Sequence, residues 1–420
     1  MENKMVIFVG SLSNKYIEAF KKEGYSIGFF RDLYDTAIDR FLPNYLHKLS
    51  FVYSINMRNK VTIGESLKSL YFNSKTLLVC VREKHVYTTA LIAKSLNLDQ
   101  SEFLDVSQAQ YLTNKYFQRK EIAKIYPEIT PEFKKIRTFH GAYTFARKFG
   151  FPVVVKPANL SKGELVNICN NIEELSRKVS YVLDHIQEVY DRDKVYRKPQ
   201  VVIEEFIDGR QFSVDSYIDA DGKVIHTPIC KQIISHDLGF DDFQTYYSQY
   251  PSELDRREEL QVLDTVEKSI KALKIVSSTT HTEVKIDTKG RCKVIEVNIR
   301  PGGFRSEMLR ESFNIDHFGN FIKSLLGEPI LLDNSFIQYS ACPQFWADKE
   351  GNFVEIENRD QIEKLKSFNK FIIVVKKGDE VGQVNKGYGR VAYAILANKD
   401  KSILQGDLIT IRNLVKIHVH

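Results

Sequence analysis

The chain has 420 residues, 43% of them hydrophobic and 27% charged, and a formal net charge of +6. This composition excludes a disordered protein, and the length predicts two or three domains in contact. The charge is spread along the sequence without a block of like-charged residues, which favours solvated surface over a nucleic-acid-binding face.

The cysteines and the apolar runs indicate a cellular compartment. Five scattered cysteines without C-x-x-C spacing argue against a disulfide framework or a zinc site, and we interpret them as small core residues. The N-terminal apolar run is too short for a signal sequence, and no stretch approaches the roughly 18 apolar residues of a membrane span. We therefore expect a soluble, cytoplasmic protein without nucleic-acid or membrane partners.

The first hundred residues alternate predicted strands with predicted helices. Apolar runs at 5–9, 24–30 and 77–81 predict strands, and the pattern at 87–96 predicts a helix. Such alternation is typical of a parallel sheet with helical crossovers, whose ligands bind at the carboxyl ends of the strands. Gly10 follows the first strand, but it is not part of a G-x-G-x-x-G fingerprint of dinucleotide binding.

Strand signals dominate the middle of the chain, after a predicted linker with two prolines at 126–131. Strands are predicted at 153–155, 201–207, 211–218, 224–229, 282–286 and 293–299, and helices at 172–189 and 258–273. Turn residues separate most of these strands, which predicts an α+β region with antiparallel sheets. Further strands are predicted near the end of the chain, at 371–375 and 389–396.

A lysine and a polar loop follow the predicted strand at 153–155. Lys156 can place a positive charge on a phosphate, while the loop of Ser161, Lys162 and Gly163 offers backbone N–H groups to phosphate oxygens. Taken alone, this segment is better interpreted as an edge-strand lysine followed by a polar turn.

Two adjacent carboxylates end the predicted strand at 201–207. The backbone between Glu204 and Ile207 can pair with the edge of an adenine ring. Paired glutamates at a strand end are also common on solvated surface, so two interpretations of Glu204 and Glu205 stay open.

The strongest chemical signal is a predicted strand with a polar face. Residues two apart share a face, so Glu296, Asn298 and Arg300 point one way, and Val294 shares that side. A hairpin places Glu283 opposite them. Carboxylate and amide oxygens suit Mg²⁺ ions that bridge phosphates, and Arg300 adds a cation where a transferring phosphoryl group develops charge. The alternative, a polar outer face with cross-strand pairs, is disfavoured because the two carboxylates repel each other unless a cation lies between them.

The order of these motifs resembles the ATP-grasp superfamily. The motifs are Lys115, Lys156, the Ser161-x-Gly163 loop, Glu204-Glu205-x-Ile207, Glu283 and Glu296-x-Asn298-x-Arg300. The resemblance implies a mixed α/β and α+β fold. A parallel α/β domain is expected at 1–112, a two-subdomain ATP-grasp fold at 113–327 and a β-rich subdomain at 328–420.

The resemblance also implies a site for ATP. The residues that it assigns to the nucleotide are Lys115, Lys156, Ser161, Lys162, Gly163, Glu204, Glu205, Phe206, Ile207 and Gln211. The lysines would contact phosphates or base, the loop would cover the β- and γ-phosphates, and the 204–207 segment would hold adenine. Gln211 stands where many relatives have a ribose-binding glutamate, and its neutral amide can still hydrogen-bond ribose hydroxyls.

Metal and substrate roles are implied in the same way. Glu283, Glu296 and Asn298 would ligate two Mg²⁺ ions, for which Mn²⁺ is a substitute, and Arg300 would steady an acylphosphate. The motifs His281-x-Glu283 and Asn298-Ile-Arg300-Pro-Gly-Gly resemble carboxylate–amine ligases that join amino acids. The residues expected to contact substrate or to position those that do are His281, Gly302, Gly303, Arg305 and Arg310.

The implied activity is ADP-forming ligation of two small molecules. A carboxylate would be activated as an acylphosphate and attacked by an amine, giving a dipeptide or an amino-acid amide. A homodimer is the oligomeric state that we consider. One alternative is a nucleotide-binding protein without turnover, which the complete set of Glu283, Glu296 and Asn298 argues against. The other is a biotin-carboxylase-like or purine-pathway enzyme, although the chain has no Met-Lys-Met biotin site of its own.

Overall fold

The computed structural model of the chain describes residues 4–73, 76–98, 105–160, 163–239, 244–384 and 388–420. Among these residues, every helix is too short or too polar to cross a lipid bilayer. All five cysteines are free; four are buried and Cys80 is half-buried, which agrees with the prediction that they are core residues without disulfides.

A parallel sheet forms the N-terminal part of the molecule, as predicted. Its strands are β1 (Met5–Val9), β2 (Ser26–Asp32), β3 (Phe51–Ile55) and β4 (Leu77–Val79), in the order β3-β2-β1-β4. The accompanying helices are α1 (Asn14–Lys22), α2 (Lys60–Leu67) and α3 (Val86–Ser95). Successive β1 side chains enter two separate cores on opposite faces of the sheet, which is why this strand is continuously apolar. The edge strand β3 was not predicted.

A small antiparallel sheet follows two helices, α4 (Val106–Leu112) and α5 (Lys115–Ala123). Its elements are β5 (Phe133–Ile136), α6 (Phe139–Phe149), β6 (Val153–Pro157), β7 (Asn167–Cys169), α7 (Ile172–Arg192) and β8 (Val201–Glu205). The strand order is β5-β8-β6-β7. Leu175, Val179, Val182 and Ile186 recur at helical spacing along α7 and bury one face of it against this sheet.

A larger antiparallel sheet carries the remaining motifs. Its first elements are β9 (Gly209–Ile218), β10 (Val224–His226), β11 (Cys230–Ile234), β12 (Thr245–Tyr250), α8 (Arg256–Ala272), β13 (Ser278–Asp287) and β14 (Cys292–Asn298). Helix α8 begins at a capping box of Asp255 and Glu258. It packs on β13 and β14 through Val262 and Val266, so the hairpin that holds Glu283 and Glu296 rests on a buried helix.

The last part of the chain extends the same sheet. Its elements are α9 (Arg305–Phe313), α10 (His317–Leu326), β15 (Tyr339–Phe345), β16 (Gly351–Glu357), α11 (Arg359–Ile362), β17 (Phe368–Ile373), β18 (Glu380–Val381), β19 (Ala392–Asn398), α12 (Lys401–Leu414) and β20 (Lys416–Val419). Within the described residues the large sheet has the order β14-β13-β9-β11-β12-β15-β19-β17, with β10 paired to β9. Strands from both sides of residue 328 therefore share one sheet.

Strand β14 contains an irregularity that the sequence analysis missed. Glu283 pairs with Glu296 but Val284 pairs with Val294, so Ile295 is an extra residue in a β-bulge. The prediction that Val294 shares the face of Glu296 is wrong, because the bulge shifts the alternation by one residue. Val294 is instead buried in the same core as Val297.

Candidate active site

The hairpin of β13 and β14 brings the two predicted carboxylates face to face. Glu283 lies directly opposite Glu296, and His281 lies opposite Asn298, as a hairpin predicts. Each carboxylate has a cationic neighbour. Lys115 Nζ lies 2.7 Å from Glu296 Oε1, and His281 Nε2 lies 3.4 Å from Glu283 Oε1. Lys115 and His281 thus offset the mutual repulsion of the two carboxylates, for which a bound metal ion was predicted from the sequence.

The surroundings of these carboxylates shift the pKa values of their neighbours. Burial alone would lower the pKa of Lys115, but the charges of Glu296, Glu83 and Glu204, with the hydrogen bond to Glu296, together outweigh it and raise the pKa. Burial would likewise raise the pKa of Glu283, and the hydrogen bond and charge of His281 lower it instead. Lys115 and Glu283 are therefore both held in their charged forms.

The donor atoms at the hairpin fit a hard cation. Glu296 Oε1 is buried, and its close partner among the described residues is the Lys115 ammonium, 2.7 Å away. Among those residues, no three His, Cys, Asp or Glu side chains lie close enough together to hold a metal ion by themselves. A magnesium ion here would therefore need Asn298 and phosphate oxygens of a nucleotide in addition to Glu283 and Glu296.

Lys156 and Glu204 form a buried ion pair on the neighbouring sheet. Strands β6 and β8 place Lys156 Nζ 2.6 Å from Glu204 Oε2, and Arg119 Nε lies 3.4 Å from the other carboxylate oxygen. Burial would raise the pKa of Glu204, but Arg119 and Lys156 lower it. Arg119 also donates to the carbonyl of Ile295, so it ties this pair to the bulge of β14. Arg119 was not among the residues predicted from the sequence.

The two remaining polar candidates near the predicted adenine position already have partners. Glu205 Oε2 accepts hydrogen bonds from Lys293 Nζ at 2.7 Å and from the backbone N–H of Glu132 at 3.2 Å. Gln211 is buried, and its Nε2 donates to Gln232 Oε1 at 3.1 Å. An amide in this position can rotate to present either its oxygen or its nitrogen to a ligand.

The segment that follows β8 is held by a lysine from β13. Lys285 Nζ donates to the carbonyl of Ile207 at 3.3 Å and lies 5.6 Å from the centre of the Phe206 ring. Burial lowers the pKa of Lys285. The backbone that was predicted to meet adenine is therefore fixed to the hairpin that carries Glu283.

The predicted phosphate loop is described only in part. Ser161 and Lys162 lie outside the described residues. Gly163 is exposed and has φ +69°, a conformation that favours glycine. Leu160 precedes the loop, and its carbonyl accepts a hydrogen bond from Lys115 Nζ at 2.7 Å. Lys115 therefore joins the base of this loop to Glu296.

A buried aspartate on β9 forms the centre of a hydrogen-bonded network. Asp215 lies 2.5 Å from His281 Nδ1 and 2.7 Å from His317 Nε2, and it accepts from the backbone N–H of Gly302 at 2.7 Å. Tyr217 Oη lies 2.5 Å from the other ring nitrogen of His317. Burial would raise the pKa of Asp215, but the two histidines hold it far below its usual range. Asp215 thus positions both the His281 ring and the loop after Arg300.

The two glycines after Arg300 differ in their surroundings. A Cβ atom on Gly302 would lie 2.5 Å from His281 Nδ1 and 2.9 Å from Asp215 Oδ1, whereas the described residues place nothing within 4 Å of one on Gly303. Gly302 is therefore required by close packing on the Asp215 network. Arg300 itself is half-buried, and its Nη1 donates to the Pro301 carbonyl at 3.2 Å.

A cavity of about 850 Å³ adjoins this face of the hairpin. His281, Glu283, Arg300, Gly303 and Arg305 are among the residues that line it. Arg305 is almost completely buried, and its Nη2 donates to Ser213 Oγ at 2.8 Å. Arg310, the other arginine expected near substrate, is exposed on α9 and does not line the cavity.

The opposite wall of the cavity includes a carboxylate that the sequence analysis missed. Glu83 follows β4, and burial, with the charge of Glu296 as the second cause, raises its pKa to about 7. The rule that ligands bind at the carboxyl ends of parallel strands pointed to this edge of the sheet, but it did not single out Glu83.

Comparison with known proteins assigns the fold to a family. Residues 149–307 match the model of the ATP-grasp domain, a range that includes Lys156, Glu204, Glu283 and Glu296. The whole chain also superposes on the crystal structure of L-amino acid ligase from Bacillus licheniformis, with a TM-score of 0.84 and 20% sequence identity over 100% of both chains. The match identifies residues 149–307 of the chain as an ATP-grasp domain.

Curated relatives resemble parts of the chain. An uncharacterized protein, y4rH, of Sinorhizobium fredii is 22% identical over 321 residues, which are 76% of this chain and 63% of the relative. A phosphoribosylamine–glycine ligase of Lactococcus lactis is 30% identical over 122 residues, which are 29% of this chain and 26% of the relative. The chain therefore spans less than two thirds of the length of these relatives.

Proposed function

We propose that this ATP-grasp chain is an ADP-forming ligase that activates a carboxylate as an acylphosphate and transfers the acyl group to an amine. One observation carries the proposal. Glu283 and Arg300, from the hairpin that faces the predicted nucleotide site, also line the 850 Å³ cavity. The γ-phosphate and an acid in the cavity can therefore meet at the hairpin without either ligand crossing the protein.

Lys115 and Lys156 would bind the nucleotide phosphates in the cleft between the small sheet and the hairpin. Lys115 is paired with Glu296 of the hairpin, and Lys156 is paired with Glu204 of the small sheet. Glu283, Glu296 and Asn298 would hold magnesium, which would neutralise phosphate charge during transfer. ATP-grasp enzymes use ATP and Mg²⁺, which supports this assignment; the number of ions and the use of Mn²⁺ stay predictions.

The chemistry needs no covalent bond to the protein. A carboxylate oxygen attacks the γ-phosphorus, the bond to the β-phosphate oxygen breaks, and ADP leaves with that electron pair. The amine then attacks the acyl carbon, inorganic phosphate leaves, and the amine loses a proton. Arg300, which lines the cavity beside Glu283, would stabilise the charge that develops on the transferring group.

Amino acids fit the charges of the cavity. Glu83 supplies a carboxylate for an ammonium group, while Arg300 and Arg305 supply guanidinium groups for a carboxylate. The similarity to a structure named as an L-amino acid ligase supports the same substrates. We infer cytoplasmic activity because all five cysteines are free, and the homodimer stays a prediction.

The proposal is tested by supplying Mg-ATP with every pair of amino acids and measuring phosphate release and product mass. We expect at least one pair to give phosphate and ADP together with a product lighter by one water than the sum of the two acids. Binding of Mg-ATP by calorimetry without phosphate release from any acid and amine would contradict ligation and support a nucleotide-binding protein.

A further inference from the structure

We propose that the mouth of the cavity binds a second negatively charged group, a carboxylate or a phosphate, carried by one substrate away from its reacting atom. The mouth is defined by Arg58, Lys60, Arg82 and Lys194, which are exposed and line the cavity. This inference rests on the proposed ligase function and adds the class of substrate that the enzyme prefers.

The charge balance of the cavity supports an anionic ligand. Among the described residues, ten lysines and arginines line it against four aspartates and glutamates, an excess of six positive charges. None of the four mouth residues forms an ion pair with a described carboxylate. A concave surface with one sign of charge concentrates ligands of the opposite sign. The mouth therefore attracts a negatively charged group of the substrate that lies away from the reacting carboxylate and amine.

The part of the mouth contributed by Lys194 is held rigidly. The segment 193–197 between α7 and β8 crosses to the N-terminal sheet, where Tyr196 Oη donates to Asp32 Oδ2 at 2.9 Å. Lys84 Nζ donates to the carbonyl of Asp193 at 3.1 Å. The Arg197 guanidinium lies 4.7 Å from the centre of the Tyr87 ring and donates to Thr113. Lys194 lies within this fastened segment, so its backbone is held in place before a ligand binds.

The cationic surface continues beyond the first cavity. An adjoining pocket of about 670 Å³ shares Arg58 and Lys194 with it and adds Lys198, while Asp191 is its one carboxylate among the described residues. The Arg58 guanidinium lies 3.5 Å from the centre of the Tyr34 ring, which orients it. The available volume therefore accommodates a side group that extends outward from the reaction centre.

These cations are separate from the groups proposed to bind ATP. Arg58, Lys60 and Arg82 come from the N-terminal part of the chain, whereas Lys115 and Lys156 contact the hairpin and the small sheet. Neither Lys115 nor Lys156 lines the cavity. A change at the mouth is therefore expected to alter the use of the anionic substrate and to leave the KM for ATP unchanged.

Matched substrates test the inference. Phosphate release is measured with glutamate against glutamine and with O-phosphoserine against serine, each combined with the full amino-acid panel. We expect the charged member of at least one pair to have a kcat/KM at least about tenfold higher, with an advantage that shrinks as salt screens the exposed mouth. The pair that shows the preference distinguishes a carboxylate from a phosphate. Turnover without preference in both pairs would overturn the inference while leaving the ligase function intact.

A matched pair of variants tests the residue. Lys194 and Lys274 are both exposed lysines with positive φ, +55° and +54°, but only Lys194 lines the cavity. Asparagine tolerates this conformation, so Lys194→Asn and Lys274→Asn each remove one charge without backbone strain. We expect Lys194→Asn to raise the KM for the anionic substrate about three- to tenfold and Lys274→Asn to leave it unchanged. Equal effects of the two variants would overturn the assignment.

Direct binding decides the inference even where no turnover is found. Calorimetric titration of the wild type and both variants with glutamate, glutamine, O-phosphoserine and serine measures affinity without chemistry. Tighter binding of the charged member of either pair, weakened by Lys194→Asn, would support the mouth as an anion subsite. Equal binding within both pairs, or no binding of any of the four ligands, would overturn it.

Discussion

The two sides of the reaction centre manage positive charge in different ways. On the nucleotide side, Lys156 is buried, the side chain of Lys115 is only 11% exposed, and each contacts a glutamate. At the mouth, Arg58 and Lys194 are exposed and have no carboxylate partner among the described residues. A buried charge without a partner costs several kcal/mol, whereas an exposed one is solvated by water. Burial therefore determines which cations must carry a built-in counterion.

The difference bears on how each side meets its ligand. We expect the phosphates of ATP to compete with Glu204 and Glu296 for their lysines, while magnesium compensates the carboxylates that are released. At the mouth a ligand displaces only water, because the cations there have no carboxylate partner among the described residues. Substitutions on the buried side are therefore expected to have larger effects than those at the mouth.

The largest effect is expected at Glu296. Glu296→Gln keeps the shape of the side chain but removes the charge proposed to hold magnesium. We expect phosphate release to fall by more than the roughly 10- to 100-fold that loss of an outer-shell partner of a metal ligand causes. The measurement is steady-state turnover over a range of magnesium concentrations. Glu121→Gln, which changes a half-buried glutamate whose ion pair among the described residues is with Lys124, is the control.

Unchanged turnover in Glu296→Gln would show that Glu296 is not a metal ligand. It would also contradict the expectation that substitutions on the nucleotide side have larger effects than those at the mouth. Thermal unfolding of the variant shows whether a lost activity reflects a lost fold. The neutral side chain leaves Lys115 buried without its counterion, so some loss of stability is expected along with the loss of activity.

The next effect is expected at Asp215, which contacts no proposed ligand directly. Asp215→Asn removes the charge between His281 and His317, so the His281 ring and the Gly302 loop lose their common anchor. We expect kcat to fall roughly 10- to 100-fold, while the KM for ATP changes little. Tyr217→Phe, which removes only the outermost hydroxyl, is the control. Equal changes in kcat and in the KM for ATP would contradict a positioning role.

The sequence predicted the parts of this site that lie on neighbouring strands. The hairpin of Glu283 and Glu296 follows from two strand patterns joined by a short turn, and its pairing is as predicted. The bulge at Ile295 was missed, because alternation alone carries no signal for an extra residue. Parallel strands in the first hundred residues were also predicted correctly, apart from the edge strand β3.

Contacts between distant segments were beyond prediction. Glu83 and Arg300 line the same cavity because the N-terminal part packs through α1 on α10, which in turn packs on β13, and no local pattern encodes these contacts. Arg119 meets Glu204 across 85 residues of sequence, and Asp215 meets His281 across 66. The roles predicted for Glu205, Phe206 and Ile207 stay predictions, since their observed contacts are with protein groups.

Substitutions at the neighbouring Gly302 and Gly303 test the close packing of the Asp215 network. Gly302→Ala would force a Cβ atom against His281 and Asp215, whereas Gly303→Ala meets no described atom within 4 Å. We expect the first substitution to cost about 1–3 kcal/mol of unfolding free energy, as overpacking typically does, and the second to cost little. Urea denaturation measures both values. Similar losses for the two variants would contradict the close packing of Gly302.

The last expected effect is a pH dependence of the free energy of unfolding caused by His85, which lines the cavity. His85 is buried, and this burial lowers its pKa from 6.5 to about 3. The unfolded chain therefore binds more protons than the folded one between these values, so stability is complete above about pH 6.5 and falls as the pH decreases. We expect His85→Leu to reduce this dependence by up to about 1.4 kcal/mol per pH unit in urea denaturation at pH 5 to 7. An identical dependence in the variant would show that His85 is not responsible.

Transfer of the γ-phosphate to a carboxylate oxygen is the central claim, and an isotope measurement tests it directly. The acid of a productive pair is labelled with ¹⁸O in its carboxylate, and the released inorganic phosphate is analysed by mass spectrometry. The account predicts one ¹⁸O atom per phosphate, because the bond between the acyl carbon and the bridging oxygen breaks when the amine attacks. Unlabelled phosphate would mean that water attacks ATP, and it would contradict an acylphosphate intermediate.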